Sequence, residues 1–390
     1  MNSHPQRKSG GKHICVIYDC LFPWTVGGAE RWYRHLAERY AIDGHRVTYL
    51  TMQQWEQGEE PQLPGVEIIA VAPRMALYAD GKRRILPPLT FGLGVFMHLL
   101  GNGRRYDLVH TASFPFFSLL AAGLLRPLLR FRLAVDWHEA WSRSYWREYL
   151  GAVGLIGWVV QRTCARLRHT AFSFSRMHAG RVAEIANRDV TILTGEYAGP
   201  SLDRGEPAQV PPHVVYAGRM IPEKRVPLLV EALALAMERN PALRARLIGR
   251  GPDLQLVEAR IRELGLADRI ETPGFVDDVQ LEQAMRSATA IVQPSSREGY
   301  GMVVVEASAR GVPCIVVPGE DNAAVELVEQ GRNGIVATAA SETALAEAIG
   351  AVVDGGDRLR AATSQWYADN AVRLSFEGSF QVIRQRLGLD

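Results

Sequence analysis

Nowhere in these 390 residues is there an Asp-x-Asp pair, a Cys-x-x-Cys, an HExxH or a His/Cys spacing suited to zinc. The sequence therefore calls for no metal. Cysteine is scarce: Cys15, Cys20, Cys164 and Cys314 show no paired spacing, and two of them stand in apolar strand-like runs. They read as reduced core thiols of a cytosolic protein, not as a disulfide framework. An excess of either charge is also missing, with 44 Lys and Arg against 42 Asp and Glu. No nucleic-acid partner is expected, and an anionic ligand must be gripped locally. The longest apolar runs, residues 114–125 and 150–160, fall short of the roughly 18 residues that cross a bilayer. Residues 1–12 are polar and basic, and lead into a short strand without an apolar signal-peptide region, so a loose tail and a cytoplasmic location are expected. Neither half carries a complete Gly-x-Gly-x-x-Gly, which argues against a dehydrogenase.

What is present is an alternation of strands and helices from end to end. With 47% hydrophobic and 22% charged residues, the chain can bury two sizeable cores. Strands are expected at 13–18, 45–51, 66–71, 106–111, 132–136, 170–174 and 190–193, with helices at 28–42, before 106, at 116–129 and in one long stretch through Arg168. A Gly-, Pro- and acid-rich linker at 194–212 follows. The pattern then restarts, with strands at 213–217, 244–248, 269–272, 290–293, 313–317 and 334–337 and helices at 226–239, 253–264, from Asp278 and from Asn322. The fold class expected is α/β: two facing Rossmann-like, doubly wound domains with an interdomain cleft. The division expected is 1–200, 201–372 and a C-terminal helix at 373–390 that crosses back to the first domain. Trp366, Tyr367, Phe376 and Phe380 are the apolar anchors of that last region.

The most informative stretch is Ser296-Arg297-Glu298-Gly299-Tyr300-Gly301-Met302-Val303-Val304-Val305-Glu306. A helix starting near Gly301 offers free N–H groups to an anion. Glu298 then stays in the preceding loop and Glu306 lies roughly one and a half turns inside. A carboxylate accepts from neighbouring sugar hydroxyls, so the pair suits a ligand with a hydroxylated ring at each end and a phosphate between, such as a nucleotide-sugar. A solvated loop residue plus a surface helix residue is the plain alternative, but a charge amid Val303, Val304 and Val305 argues for a ligand or a polar cleft.

Other motifs fall at strand ends. Gly27-Gly28 opens the first helix, where glycine permits close approach and the helix start favours negative charge; a simple turn has the same look. In Gly218-Arg219-Met220-Ile221-Pro222-Glu223-Lys224, Arg219 and Lys224 can reach one phosphate, with charge-assisted bonds of about 1.5–3 kcal/mol each. They are the natural means of stabilising a departing diphosphate; as isolated basic residues they read equally as solvated surface. His138, in Asp136-Trp137-His138-Glu139, can bond a sugar hydroxyl or sit satisfied in an aromatic turn. Gly249-Arg250-Gly251-Pro252 and Gly274-Phe275-Val276 read as turns whose backbone can meet a base or ribose. The aromatic and aliphatic segments 114–120 and 141–158 read first as core, although the alternation of Arg and Leu at 124–133 leaves a greasy acceptor groove or peripheral membrane contact open.

Together these residues resemble the retaining GT-B glycosyltransferases of family 4, the glycosyl transferase group 1 type. The resemblance covers nearly the whole chain, and its most specific element is the Glu298-x7-Glu306 spacing. It implies that the second domain binds a nucleotide-sugar, UDP-linked by family habit, and that the first serves a glycan, lipid-linked or small-molecule acceptor. Glu306 is implied to hold ribose hydroxyls and Glu298 those of the transferred sugar, with Arg219, Lys224 and the Gly27 and Gly28 amides on the diphosphate and His138 near the donor sugar. Gly251, Val276, Tyr300, Gly301, Met302 and Val303 complete the implied donor site. No cofactor is implied beyond the donor itself. The implied reaction is metal-independent transfer of a hexosyl unit with retention, by a front-face route without a covalent nucleophile. Thr194-Gly195-Glu196-Tyr197 stands where the family has an Asn-Gly-hydrophobic-Asp turn. A nucleotide-sugar 2-epimerase or a non-catalytic nucleotide-sugar-binding protein shares fold and ligand and stays open as an alternative; oligomeric state is not legible.

Overall fold

A computed structural model describes residues 10–56, 58–79, 82–199 and 210–389. The chain divides into two compact units, residues 1–193 with 380–390, and residues 194–379. The sequence places these divisions at 200/201 and 372/373. Residues 1–9 and 200–209, which include the tail and most of the linker, lie outside the described residues.

The first unit is built from β1 (His13–Ile17), α1 (Gly28–Ile42), β2 (Arg46–Met52), β3 (Val66–Ala72), a short β4–β5 hairpin (Tyr78–Ala79, Lys82–Arg83), α2 (Leu86–Asn102), β6 (Leu108–Ala112), α3 (Phe116–Leu129), β7 (Arg132–Trp137), α4 (Arg143–Leu150), α5 (Gly154–Arg166), β8 (Thr170–Ser173), α6 (Arg176–Ala186) and β9 (Val190–Ile192). Its seven strands pair in parallel in the order β3-β2-β1-β6-β7-β8-β9. Their near-continuous apolar runs suit a sheet covered on both faces, and β1, β6 and β7 are almost wholly buried.

The second unit repeats the plan with β10 (His213–Ala217), α7 (Val226–Arg239), β11 (Arg244–Ile248), α8 (Leu254–Glu263), β12 (Ile270–Gly274), α9 (Asp278–Ser287), β13 (Ala290–Gln293), β14 (Arg297–Glu298), α10 (Met302–Ser308), β15 (Cys314–Val316), β16 (Asp321–Asn322), β17 (Gly334–Val336) and α11 (Glu342–Leu374), which is kinked at Gly356. Six strands run β12-β11-β10-β13-β15-β17, around a core that includes Tyr216, Leu229, Leu247, Val292, Ile315 and Ile349. In both sheets the strand order reverses beside the first strand, between β1 and β6 and between β10 and β13. Such reversals open a crevice at the strands' carboxyl ends.

The last helix, α12 (Phe376–Leu387), belongs from Phe380 onward to the first unit. Phe380 packs edge-on against Tyr40 at 5.3 Å, Arg384 pairs with Asp43 at 3.4 Å and Lys12 Nζ donates to the Gly388 carbonyl at 2.7 Å. Three expectations need correction. The long helix through Arg168 is two helices, because the turn between them passes through Gly151 at φ +61° and Gly154 backs onto the Trp146 carbonyl, where a Cβ would meet oxygen at 1.9 Å. The helix expected from Asn322 is a 3-10 turn, Ala323–Leu327, capped by the Asn322 side chain. The start of the expected linker is bound in place: Tyr197 N donates to Leu374 O at 3.2 Å and Phe376 N to Tyr197 O at 2.8 Å, and a Cβ on Gly195 would lie 2.3 Å from the Leu374 backbone.

Candidate functional site

The crevice between β10 and β13 gathers the charged residues singled out by the sequence. β10 leads into Gly218-Arg219, held by Gly218 N to Ile248 O at 3.0 Å and Met220 N to Arg250 O at 2.8 Å. Gly249 and Gly251 adopt φ +146° and +156°, and a Cβ on either would strike the Gly218 or Met220 carbonyl at 1.8 and 2.1 Å. Their lack of side chains is thus required to seat the segment carrying Arg219, before any ligand is considered. A 3-10 turn at Pro222–Lys224 follows, and Arg225 at φ +49° turns the chain into α7.

The segment after β13 is clamped to this turn. The Gln293 side chain donates to Ala217 O at 3.1 Å, Ser296 N and Oγ donate to Glu223 O at 2.8 and 3.2 Å, and Arg297 lies 3.8 Å from Glu223. Lys224 Nζ forms a close ion pair with Glu298, both side chains being less than a fifth exposed. Glu298 is fixed from the other side by β14, which pairs with β16. Behind it the buried Asn322 side chain donates to Ser295 O at 3.0 Å and Val317 O at 2.8 Å. The two-residue pairing was not expected, and Asn322 was read only as the start of a helix; the run Pro318-Gly319-Glu320-Asp321-Asn322 carries no strand signal.

Gly301, at φ +104° with Ala324 pressed against it, turns the chain into α10. On that helix Met302, Val303 and Glu306 share the half-open side while Val304, Val305, Ala307 and Ser308 are buried, as a 3.6-residue period requires. The Glu306 carbonyl accepts from Arg310 at 2.6 Å, and Arg310 also pairs with Glu282. The side chain of Tyr300, a residue expected in the donor site, is engaged within the protein. Its ring is buried and its hydroxyl donates to Thr194 O at 2.8 Å, so the side chain braces the 194–197 segment. Burial pushes that hydroxyl well above the ordinary tyrosine range. Val276 is half-buried just beyond β12, between the exposed Phe275 and the cap Asp277.

Gly27, Gly28 and His138 belong to the first unit. Gly27 caps α1 in an extended conformation, and a Cβ there would meet Glu30 Oε2 at 2.3 Å. The start of α1 therefore already faces a carboxylate from its own first turn. His138 stacks on Phe174 with ring centroids 4.5 Å apart and meets the Tyr33 ring edge-on at 5.8 Å. Two residues before it, the fully buried Asp136 accepts from Trp32 Nε1 and Tyr33 Oη, each at 2.9 Å, and lies 2.8 Å from His110 Nε2; Tyr40 Oη reaches the other ring nitrogen of His110 at 2.9 Å. Burial opposes the charge on Asp136, but the proximity and hydrogen bond of His110, the nearby His138 and the Trp32 hydrogen bond outweigh it and hold the carboxyl below the ordinary range. This carboxylate was quoted in the His138 motif without a role; a charged residue inside an apolar strand is the signal that marks it.

Among the described residues no three His, Cys, Asp or Glu side chains converge to hold a metal ion, and no helix is long and apolar enough to cross a membrane.

Residues 26–193 match the family described as Glycosyltransferase Family 4, and residues 203–366 the family described as Glycosyl transferases group 1. A D-inositol 3-phosphate glycosyltransferase of Nocardia farcinica is 33% identical over 38% of this chain and 34% of its own length. A GDP-mannose-dependent alpha-(1-6)-phosphatidylinositol monomannoside mannosyltransferase of Mycolicibacterium smegmatis is 30% identical over 41% of this chain and 44% of its own length. The matched stretch thus spans less than half of each of these two relatives. Over whole chains, HepE of Anabaena, solved with UDP and glucose, superposes with a TM-score of 0.72 at 19% identity, covering 97% of this chain and 99% of that one. Sucrose-phosphate synthase of Thermosynechococcus elongatus gives 0.76 at 19% identity, covering 97% and 100%. These similarities show the two-domain GT-B fold. One family thus matches each unit in turn: residues 26–193 belong to the type described as Glycosyltransferase Family 4 and residues 203–366 to the group 1 glycosyl transferases.

Proposed function

We propose that this protein transfers a hexosyl unit from a nucleotide-diphosphate-sugar to an acceptor hydroxyl, with retention at the anomeric carbon and without a metal ion. The observation that carries the reading is the Lys224–Glu298 pair at the β10/β13 reversal, with Arg219 exposed beside it. A phosphate-binding cation and a hydroxyl-binding carboxylate are there held side by side by the clamp of Ser296 on Glu223. Without donor, each charge is satisfied by the other. With donor bound, Lys224 and Arg219 donate to the diphosphate, and Glu298 accepts from hydroxyls of the transferred sugar.

The bond from the anomeric carbon to the diphosphate oxygen breaks while a new bond forms on the same face to the acceptor oxygen. The acceptor's proton passes to the departing diphosphate, whose charge Arg219 and Lys224 stabilise. Glu306 holds the ribose, with Met302, Val303, Gly301 and Val276 lining the nucleotide. From the first unit we assign Gly27 and Gly28 to the diphosphate and His138 to the transferred sugar. The donor nucleotide is UDP or GDP: GDP-mannose appears in the name of the mycobacterial relative, and UDP with glucose in the HepE structure. The acceptor is a glycan, lipid-linked or small-molecule hydroxyl.

Nucleotide release from a panel of UDP-, GDP-, ADP- and TDP-sugars, measured in EDTA with and without a mixed acceptor pool, tests this reading. Acceptor-stimulated release from one donor is expected, with Glu298→Gln lowering kcat by roughly a hundredfold or more and Lys224→Ala by a similar factor. Donor consumed equally without acceptor, or unchanged turnover in both variants, defeats it.

A further inference from the structure

Helix α2 has an unusual outer face. From Ile85 to Gly103 it carries no Asp, Glu, Lys or Arg. Phe91, Val95 and Leu99 pack inward, yet the opposite side is also apolar: Leu86, Leu89, Leu93, Met97 and Leu100 are all exposed, Leu93 by 63% and Met97 by 59%. A helix apolar all round is ordinarily enclosed by protein or lipid. This one is open along a stripe of five large side chains. The stripe continues sideways. Right-handed crossovers that step in one direction along a parallel sheet place α2, α3 and α5 on the same face. Leu124 and Leu128 of α3 and Leu155, Ile156 and Val159 of α5 are exposed too. The expectation that 141–158 is simply core therefore holds for Trp146 and fails for Leu155 and Ile156.

Charge says what covers the face. Residues 82–168 hold thirteen Lys and Arg against four Asp and Glu, one of the four being the buried Asp136, while the whole chain has an excess of only two. Each crossover helix runs antiparallel to its strands, so the helices end along one edge. Arg104 and Arg105 follow α2, Arg130 follows α3, and Arg162 and Arg166 lie in the last turns of α5. A basic residue at a helix end also suits the helix dipole, but that accounts for neither the leucine stripe nor the scarcity of acids. At the α5 edge Arg143 and Arg162 flank Trp158, at 5.4 and 5.3 Å from its ring. Beside them lies an open recess of about 480 Å³ lined by Trp158, Val159, Arg162, Thr163, Arg166 and Leu167.

We infer that the α2–α3–α5 face of the first unit docks on an anionic lipid bilayer, with the leucine stripe entering the interface and the arginine edge at the headgroups. The inference is independent of the donor chemistry, and its test needs no substrate.

The full chain is floated with vesicles of phosphatidylcholine alone or mixed with phosphatidylglycerol. Flotation with the mixed vesicles only is expected, weakened by added salt and insensitive to soluble glycerol phosphate. Leu93→Glu with Met97→Glu, both at exposed positions of a helix, should reduce partitioning at least tenfold while circular dichroism and the melting curve stay unchanged. Arg104→Gln with Arg105→Gln should reduce it by roughly fivefold per arginine at low salt. A wild-type chain that stays in solution with anionic vesicles overturns the inference, as does binding unchanged by both double substitutions. Self-association abolished by the α2 pair, without vesicle binding, assigns the face to a second copy and overturns it equally.

Discussion

The indole N–H of Trp32 donates to the carboxylate of Asp136 at 2.9 Å across 104 residues of sequence, tying the first turns of α1 to the end of β7. Tyr33, the next residue, donates to the same oxygen and turns its ring edge toward His138. The glycine-opened helix and the strand that delivers His138 are thus indexed to one buried charge. Asp136→Ala leaves two buried donors and His110 without their acceptor and is expected to cost about 3–5 kcal/mol of folding stability. Urea denaturation of the variant measures this; a loss below about 1 kcal/mol would show that the network is not what holds α1.

Backbone crowding at the β11 turn gives a second expectation. Gly251→Ala forces a Cβ against the Met220 carbonyl at φ +156°, and should destabilise by about 2 kcal/mol or more. Gly265→Ala, at φ +68° in open space, should cost about 1 kcal/mol. Equal melting temperatures for the two variants would contradict the role given to Gly251.

Tyr300 separates bracing from binding. Tyr300→Phe removes the hydrogen bond to Thr194 O and should lower stability by about 1 kcal/mol. Donor KM should stay at the wild-type value, since the hydroxyl is already engaged; a several-fold rise in KM would return Tyr300 to the donor site.

The fold carries an acid-sensitive histidine. Burial first, then Arg188 and Arg126, lower His169 to about 3 against a partly opposing hydrogen bond at Leu167, and its Nε2 accepts from Trp137 at 3.2 Å. The native imidazole stays neutral while the unfolded one takes a proton below about pH 6.5. Its contribution is therefore complete above that pH and is lost as pH falls toward 3, by about 1.4 kcal/mol per pH unit. His169→Gln keeps an acceptor without titrating, so denaturation series at about pH 7, 6 and 5 should show a shallower decline for the variant. Parallel declines would remove His169 from the acid response.

The strands were legible because their apolar runs are continuous, as burial on both faces demands, and most lie within one or two residues of expectation. What escaped depends on contacts distant in sequence. The break between α4 and α5 exists because Gly154 meets the Trp146 carbonyl, and no local propensity reports that. β14 and β16 are two residues each, below any periodic signal. At the site, Lys224 and Glu298 were chosen separately, as a phosphate contact and a sugar contact; that they pair with each other is set by the Ser296–Glu223 clamp. Gly251 was read as an approach route for a ligand, whereas its neighbour across the turn already requires glycine.

The return of α12 has a bearing on biosynthesis. The first unit needs Phe380 beside Tyr40, Arg384 beside Asp43 and the Gly388 carbonyl over Lys12, groups that leave the ribosome some 190 residues after β9. The second unit has all its strands and its longest helix by Leu374. The half of the molecule translated second thus has its strands and its long helix before the residues that close over Tyr40, in the half translated first, have been made.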